Sequence, residues 1–255
     1  MEEDLVSIIM PTYNCGKFIA ESIECVLKQT YTNWELLIQD DCSTDNTKEI
    51  VRDYLKDNRI RYAVNEKNSG AAVSRNAAIA AAKGGWIAFL DSDDLWEPEK
   101  LKKQLSFMKR NSYFFSYTKY AEINEDGNLL GVEVSGPKII SYSGMINYCW
   151  PGCLTVMYNA EKIGKIQIAD IKKNNDYAMW LKIAPYAKCY LLDETLAKYR
   201  KREGSISNHS YTNLIKWHYL LFKEAEGCNT ISSYIHTIRN LFFGVVKKCL
   251  YVKRK

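Results

Sequence analysis

The 255-residue chain holds only five prolines and three histidines, and after Glu226 it has no acidic residue. No stretch reaches the roughly 18 uninterrupted apolar residues of a membrane-spanning helix. Eight cysteines stand at 15, 25, 42, 149, 153, 189, 228 and 249 with no Cys-x-x-Cys pair among them. That spacing excludes a zinc ribbon and does not resemble a disulfide scaffold, so reduced, buried thiols are expected. Met1-Glu2-Glu3-Asp4 is acidic where a signal peptide is basic, which predicts a protein kept in the cytoplasm. No Gly-x-Gly-x-x-Gly follows a strand, so a dinucleotide-binding dehydrogenase is excluded.

What remains is globular composition: 47% hydrophobic and 25% charged, enough for one large α/β domain. The net charge of +5 is unevenly placed. Arg239, Lys247, Lys248, Lys253, Arg254 and Lys255 hold the whole surplus, leaving 29 basic against 30 acidic residues in positions 1–226. A near-neutral body is a poor polyanion grip, and no nucleic-acid partner is expected. The chain divides into a catalytic body over 1–226 and a basic tail over 227–255.

The first third alternates apolar runs with helical patterns. Leu5–Met10, Trp34–Gln39, Ile60–Val64 and Trp86–Leu90 read as strands. Between them lie helices over Lys17–Lys28, beyond Ser43-Thr44, and over Ala71–Lys83, the last stopped by Gly84-Gly85. A further helix runs to Arg110, Tyr113–Ala121 reads as a strand, and Asp126-Gly127 marks a hairpin turn. Alternation of this kind predicts a mostly parallel sheet flanked by helices, with its ligand site beyond the carboxyl ends of the strands.

The acidic clusters fall at those ends: Asp40-Asp41 after the second strand and Asp91-Ser92-Asp93-Asp94 after the fourth. Three carboxylates in four residues repel one another unless a cation or hydrogen-bond donors hold them. Hard divalent cations use one or two carboxylates together with substrate phosphates. A solvated loop with a helix cap would look similar in isolation; the position at a central strand end favours a site.

Val6-Ser7-Ile8-Ile9-Met10-Pro11-Thr12-Tyr13-Asn14, Trp34 through Asp45, Gly70 through Ala78, and Phe89 through Asp94 resemble the blocks of family 2 glycosyltransferases with the GT-A fold. Asn175-Asp176-Tyr177-Ala178-Met179-Trp180-Leu181, Tyr199-Arg200 and Ser205-Ile206-Ser207 extend the likeness to about residue 210. The resemblance implies nucleotide contacts from Pro11, Tyr13, Asp41, Arg75, Asp91 and Ser92. Tyr13 would stack on the base, Asp41 accept from a uracil N–H, and Asp91 hold the ribose. Asp93 would hold Mn²⁺ or Mg²⁺ at the diphosphate. Asp176 would be the base, with helix capping as its plainer role and Asp170 and Asp193 as fallbacks. Asn175 stands where the family often has Glu. Lys201 and Arg202 stand where relatives carry a His, so that they pair with diphosphate or are solvated; His209 is displaced from that place.

The implied reaction is inverting transfer of one sugar from a UDP-sugar to a glycan acceptor carried on a polyprenyl lipid. Bacterial O-antigen, capsule or teichuronic-type assembly is the implied setting. A nucleotidyltransferase is the enzymatic rival, although Pro11-Thr12-Tyr13-Asn14 replaces its Gly-rich loop; a silent nucleotide- or glycan-binding protein is the other. From Ile231 onward, Tyr234, Ile235, Ile238, Leu241, Phe242, Val245, Val246 and Cys249 recur at helical spacing beside purely basic charge. Two expectations stand for this tail: peripheral contact with the inner face of the plasma membrane through 231–255, or packing on the body.

Overall fold

Val6, Ile8 and Met10 belong to one apolar core and Ile9 to another, and this period of two along the strands divides the interior. The computed structural model describes residues 2–202 and 211–254. β1 (Glu2–Thr12), α1 (Ile19–Leu27), β2 (Trp34–Asp40), α2 (Thr47–Tyr54), β3 (Ile60–Val64), α3 (Ala71–Ala81) and β4 (Gly84–Phe89) alternate as the periodicity predicts. The four strands are parallel in the order β3-β2-β1-β4. Every residue of β2 and β4 is buried, because helices cover both faces of a parallel sheet. Ile19 and Ile23 of α1 and Val51 of α2 pack on the Val6 side, while Ala72, Ala78 and Ile79 of α3 pack on the Ile9 side.

Gly84 and Gly85 open β4 instead of merely stopping α3. A side chain at Gly84 would come within 2.4 Å of the Leu5 carbonyl oxygen, so only glycine lets β4 approach β1 this closely.

The second half adds β5 (Leu95–Trp96), α4 (Lys100–Asn111), β6 (Phe115–Ile123), β7 (Leu129–Val134), β8 (Ile139–Ile140) and α5 (Tyr142–Asn147). β9 (Met157–Asn159), α6 (Ala160–Ile163), α7 (Asn175–Ile183) and β10 (Cys189–Arg200) follow. β9 inserts antiparallel between β4 and β6, and β10 runs parallel to β6, which makes the sheet mixed. The expected hairpin is present: Asn124 Oδ1 accepts from the amides of Asp126 and Asn128, and Gly127 takes a left-handed φ of 82° between β6 and β7. All eight cysteines are free thiols.

α8 (Tyr211–Leu220) closes the body, the tail forms α9 (Thr230–Leu250) and β11 (Val252–Arg254), and β11 pairs antiparallel with β7. α9 packs on the body through a largely polar side, with Phe243 and Val246 half-buried against the core. Ser233, Thr237 and Asn240 are buried, whereas Ile231, Ile235, Ile238, Phe242 and Val245 are exposed. Hydrogen bonds tie the buried face down: Thr237 Oγ1 donates to the Ser233 carbonyl at 2.7 Å, and Asn240 Nδ2 donates to the Ile146 carbonyl at 3.0 Å. No helix among the described residues is long and apolar enough to cross a membrane.

Candidate active site

The loops at the carboxyl ends of β1 and β2 are tied together by short polar side chains. β1 pairs with β4 as far as Ile9 and with β2 as far as Thr12, so Pro11 sits where only one neighbour is paired. Asn14, at φ 48°, accepts from the Thr44 amide at 2.8 Å and donates its own amide to Ser43 Oγ at 2.9 Å. Pro11 is buried beneath this turn and Tyr13 is left 48% exposed, with a ring face free to stack.

Asp41 is buried and heavily bonded. Its Oδ1 accepts from Asn65 Nδ2 at 2.7 Å and the Ser69 amide at 2.8 Å; its Oδ2 accepts from the Gly70 amide at 2.6 Å. Two oxygens offer about four acceptor positions, so Oδ2 retains capacity for one more donor. Asp40 is spent on structure, accepting from Ser43 and from the Tyr62 hydroxyl.

After β4 each acidic residue meets a different arginine. Asp91 Oδ1 accepts from Arg75 Nη2 at 2.5 Å. Asp93 Oδ2 lies 2.7 Å from Arg202 Nε. Asp94 accepts from the Arg200 amide at 2.9 Å, while Arg200 Nε donates to the Asp93 carbonyl at 2.8 Å and its Nη2 pairs with Glu21. The end of β10 therefore clamps the loop. Ser92 is buried, its carbonyl accepting from Cys15 Sγ at 3.2 Å. Burial and then the Asp91 charge hold the Asp93 carboxyl above its ordinary range, opposed by Arg202. Asp94 is raised further by burial and by Asp93.

Two carboxylates forced together in this way suit a hard cation. Among the described residues no cluster of three or more His, Cys, Asp or Glu forms, so the protein would supply few ligands and a bound diphosphate the others. Asp93 is the carboxylate that could hold Mg²⁺ or Mn²⁺ there.

α7 supplies the remaining group. Asn174 turns the chain with φ 57° and is the N-cap of α7, where no side chain makes a capping hydrogen bond; Asp176 lies inside the first turn, its Oδ1 accepting from the adjacent Tyr177 amide at 2.8 Å. Trp180, one turn later, is fully buried beside Phe89, with ring centroids 5.3 Å apart. Burial raises the Asp176 pKa above the ordinary carboxylate range, and Arg75 pulls it back. Arg75 is the hub: its Nη1 donates to Asn175 Oδ1 at 2.8 Å while its Nη2 holds Asp91. Burial works against the Arg75 charge, and the Asp91 carboxylate more than offsets this.

The fallback carboxylates do not join this group. Asp170 is exposed, and Asp193 is exposed and paired with Lys119 at 3.1 Å. Lys201 pairs with Glu122 at 3.3 Å, so of the two bases considered for diphosphate only Arg202 is turned to the acidic loop. Ser205-Ile206-Ser207 and His209 lie outside the described residues. His218 is buried and His236 packs on Phe222; both are structural. Sequence reasoning missed Asn65, which orients Asp41, and Lys247, whose Nζ donates to the Trp150 carbonyl at 2.8 Å within electrostatic range of Asp176. Neither stands in a recognisable block; only folding brings them here.

Residues 7–149 match the family described as Glycosyl transferase family 2. The chain belongs to that family. It is a glycosyltransferase with the GT-A architecture. It is 41% identical over 224 residues to TuaG of Bacillus subtilis, named for teichuronic acid biosynthesis, covering 87% of this chain and 88% of that one. It is also 41% identical over 216 residues to WfgD of Escherichia coli, with 84% of each chain covered. That protein is named as a UDP-Glc:alpha-D-GlcNAc-diphosphoundecaprenol beta-1,3-glucosyltransferase. Among solved structures, S. aureus TarS 1-349 in complex with UDP-GlcNAc superposes with a TM-score of 0.71 at 25% identity, over 92% of this chain and 71% of that one.

Proposed function

We propose that this glycosyltransferase moves one sugar from a UDP-sugar to a hydroxyl of a lipid-linked glycan, with inversion at the anomeric carbon. The observation that carries the reading is the convergence on Arg75. A donor-side carboxylate, Asp91, and the start of the helix bearing Asp176 meet one buried guanidinium. Asp176 takes the acceptor proton: burial raises its basicity, and Arg75 keeps the carboxylate form accessible. A single displacement driven by one base inverts the anomeric centre.

Tyr13 stacks on the nucleobase, and the remaining acceptor position of Asp41 takes the uracil N–H. Pro11 and Ser92 shape the nucleotide wall, while Asp91 binds the ribose. Asp93 would hold Mn²⁺ or Mg²⁺, which would supply Lewis-acid neutralisation of the departing diphosphate. Arg202, already beside Asp93, reaches the same phosphates. The UDP assignment draws support from TarS, and the lipid-linked acceptor from the diphosphoundecaprenol named for WfgD and WfaP. A polyprenyl acceptor places the reaction at the inner face of the plasma membrane.

The test is nucleoside-diphosphate release from a panel of UDP- and GDP-sugars in the presence of a diphosphoundecaprenol-linked acceptor, with Mn²⁺, Mg²⁺ or chelator. Turnover of one UDP-sugar that stops in chelator is expected. Equal rates in chelator would remove the metal from the reaction, and turnover confined to GDP-sugars would replace the donor class.

A further inference from the structure

α9 is mounted inside out. On a 3.6-residue turn, Ser233, Thr237, Asn240, Gly244 and Lys247 form the middle of the side that meets the body, with the half-buried Phe243 and Val246 packed on the core beside them. The opposite side carries Ile231, Ile235, Ile238, Phe242 and Val245, each between 50 and 74% exposed. An amphipathic helix ordinarily buries the apolar face; here that face runs from Ile231 to Val245 and is exposed among the described residues.

The charge around it selects the occupant. α9 exposes Arg239 and Lys248 and holds no acidic residue, Lys247 being turned to the body, and β11 fixes Lys253 and Arg254, both exposed, just past its carboxyl end. A second copy of the helix would bring cations against cations with nothing to pair them, whereas paired helices normally place opposite charges beside the seam. An anionic bilayer meets both features, taking the apolar side chains into the headgroup boundary and the basic rim against phosphate.

We propose that the outward face of α9 docks this enzyme on an anionic membrane surface and holds the catalytic cleft toward it. On the inward face, Asn240 Nδ2 donates to the Tyr177 hydroxyl at 3.2 Å, and Tyr177 adjoins Asp176. Lys247 Nζ donates to the Trp150 carbonyl at 2.8 Å. One helix, about 10 Å across, therefore separates the bilayer from the wall of the acceptor side. A diphosphate-linked glycan anchored in that bilayer presents its sugar to Asp176 without leaving the membrane. This orientation rests on the proposed lipid-linked acceptor; the docking face itself rests only on the helix.

The experiment is co-sedimentation of the full chain with phosphatidylcholine vesicles and with vesicles containing about one-third phosphatidylglycerol. Melting temperature, UDP binding and light-scattering mass are measured on the same samples. The wild type should sediment with the anionic vesicles and only weakly with the neutral ones. The double variant I238E/F242E, altered at two solvent-facing positions, should bind the anionic vesicles at least about tenfold more weakly. Its melting temperature and UDP binding should be unchanged. Undiminished vesicle binding by the double variant, or none by the wild type, would overturn the proposal. A wild-type dimer that the same substitutions split into monomers would give the face to a second copy instead. Loss of UDP binding by the wild type would count against the functional reading alone, since vesicle binding is scored separately.

Discussion

Arg75 donates to Asp91 across 2.5 Å from a position buried under α7, and its other terminal nitrogen is spent on Asn175. A single cation thus fixes the spacing between the loop after β4 and the start of α7. The family often has an acidic residue where this chain has Asn175. The amide accepts from Arg75 without adding a third negative charge beside Asp91 and Asp176, so that Asp176, the proposed base, is the one carboxylate on that turn.

Asp176→Asn should retain UDP-sugar binding and lose transfer by about 10²- to 10⁴-fold, the usual contribution of a positioned base. Single-turnover transfer alongside UDP-sugar titration separates the two. Transfer within a few-fold of wild type would move the base elsewhere.

The pH profile follows from the same residue. Asp176 must be ionised to act, and burial raises its pKa, so kcat/KM should fall with decreasing pH at a higher pH than an ordinary Asp would give. Arg75 works in the opposite direction. Arg75→Gln should push the acidic limb further up and cost about 3 kcal/mol of stability by stranding Asp91. An unmoved limb in that variant would remove Arg75 from the electrostatics of the base.

His218 lies edge-on to Tyr177, with centroids 6.5 Å apart, and burial lowers its pKa from 6.5 to about 4. The unfolded chain takes up this proton first, so His218 costs no stability above pH 6.5. The cost grows as pH falls through 6.5 and is complete below about 4, amounting to about 3 kcal/mol. Denaturant titrations of His218→Phe at pH 7 and pH 4.5 should show a smaller acid loss than the wild type. Equal losses would mean that the ring is hydrated.

Lys100 is fully buried, and its Nζ has only the Trp96 ring, 3.7 Å away, and no hydrogen-bond acceptor among the described residues. Burial lowers its pKa well below the ordinary lysine range. Because the unfolded chain keeps this proton more readily, Lys100 costs stability at every pH below about 10, and least at the alkaline end. Lys100→Met should therefore stabilise the protein by about 2 kcal/mol at neutral pH. A lower melting temperature would show that the cation–π contact outweighs desolvation.

The parallel half of the fold was legible because each strand there is a short apolar run with a polar loop at its carboxyl end. The half from 140 to 200 was not. β10 alternates burial irregularly over 12 residues because it pairs with β5, β6 and β8 in turn, and no local pattern encodes three partners. The acidic loop was visible as a cluster, yet the assignment of Asp91 to Arg75, Asp93 to Arg202 and Asp94 to Arg200 was not. Those pairs span 16 to 109 positions of chain, and charge complementarity alone permits other combinations.

Sequence alone determined the alternating α/β frame, the family blocks and the basic, apolar-striped tail, since each is written in neighbouring residues. Tertiary structure decided which way that tail faces. A helical wheel locates an apolar stripe but cannot say which side meets the body. Here the polar side finds partners in the Ile146 carbonyl and the Tyr177 hydroxyl, and the apolar side is left outward. Hydrogen-bond satisfaction across distant segments set that orientation, and it is a property of the folded chain.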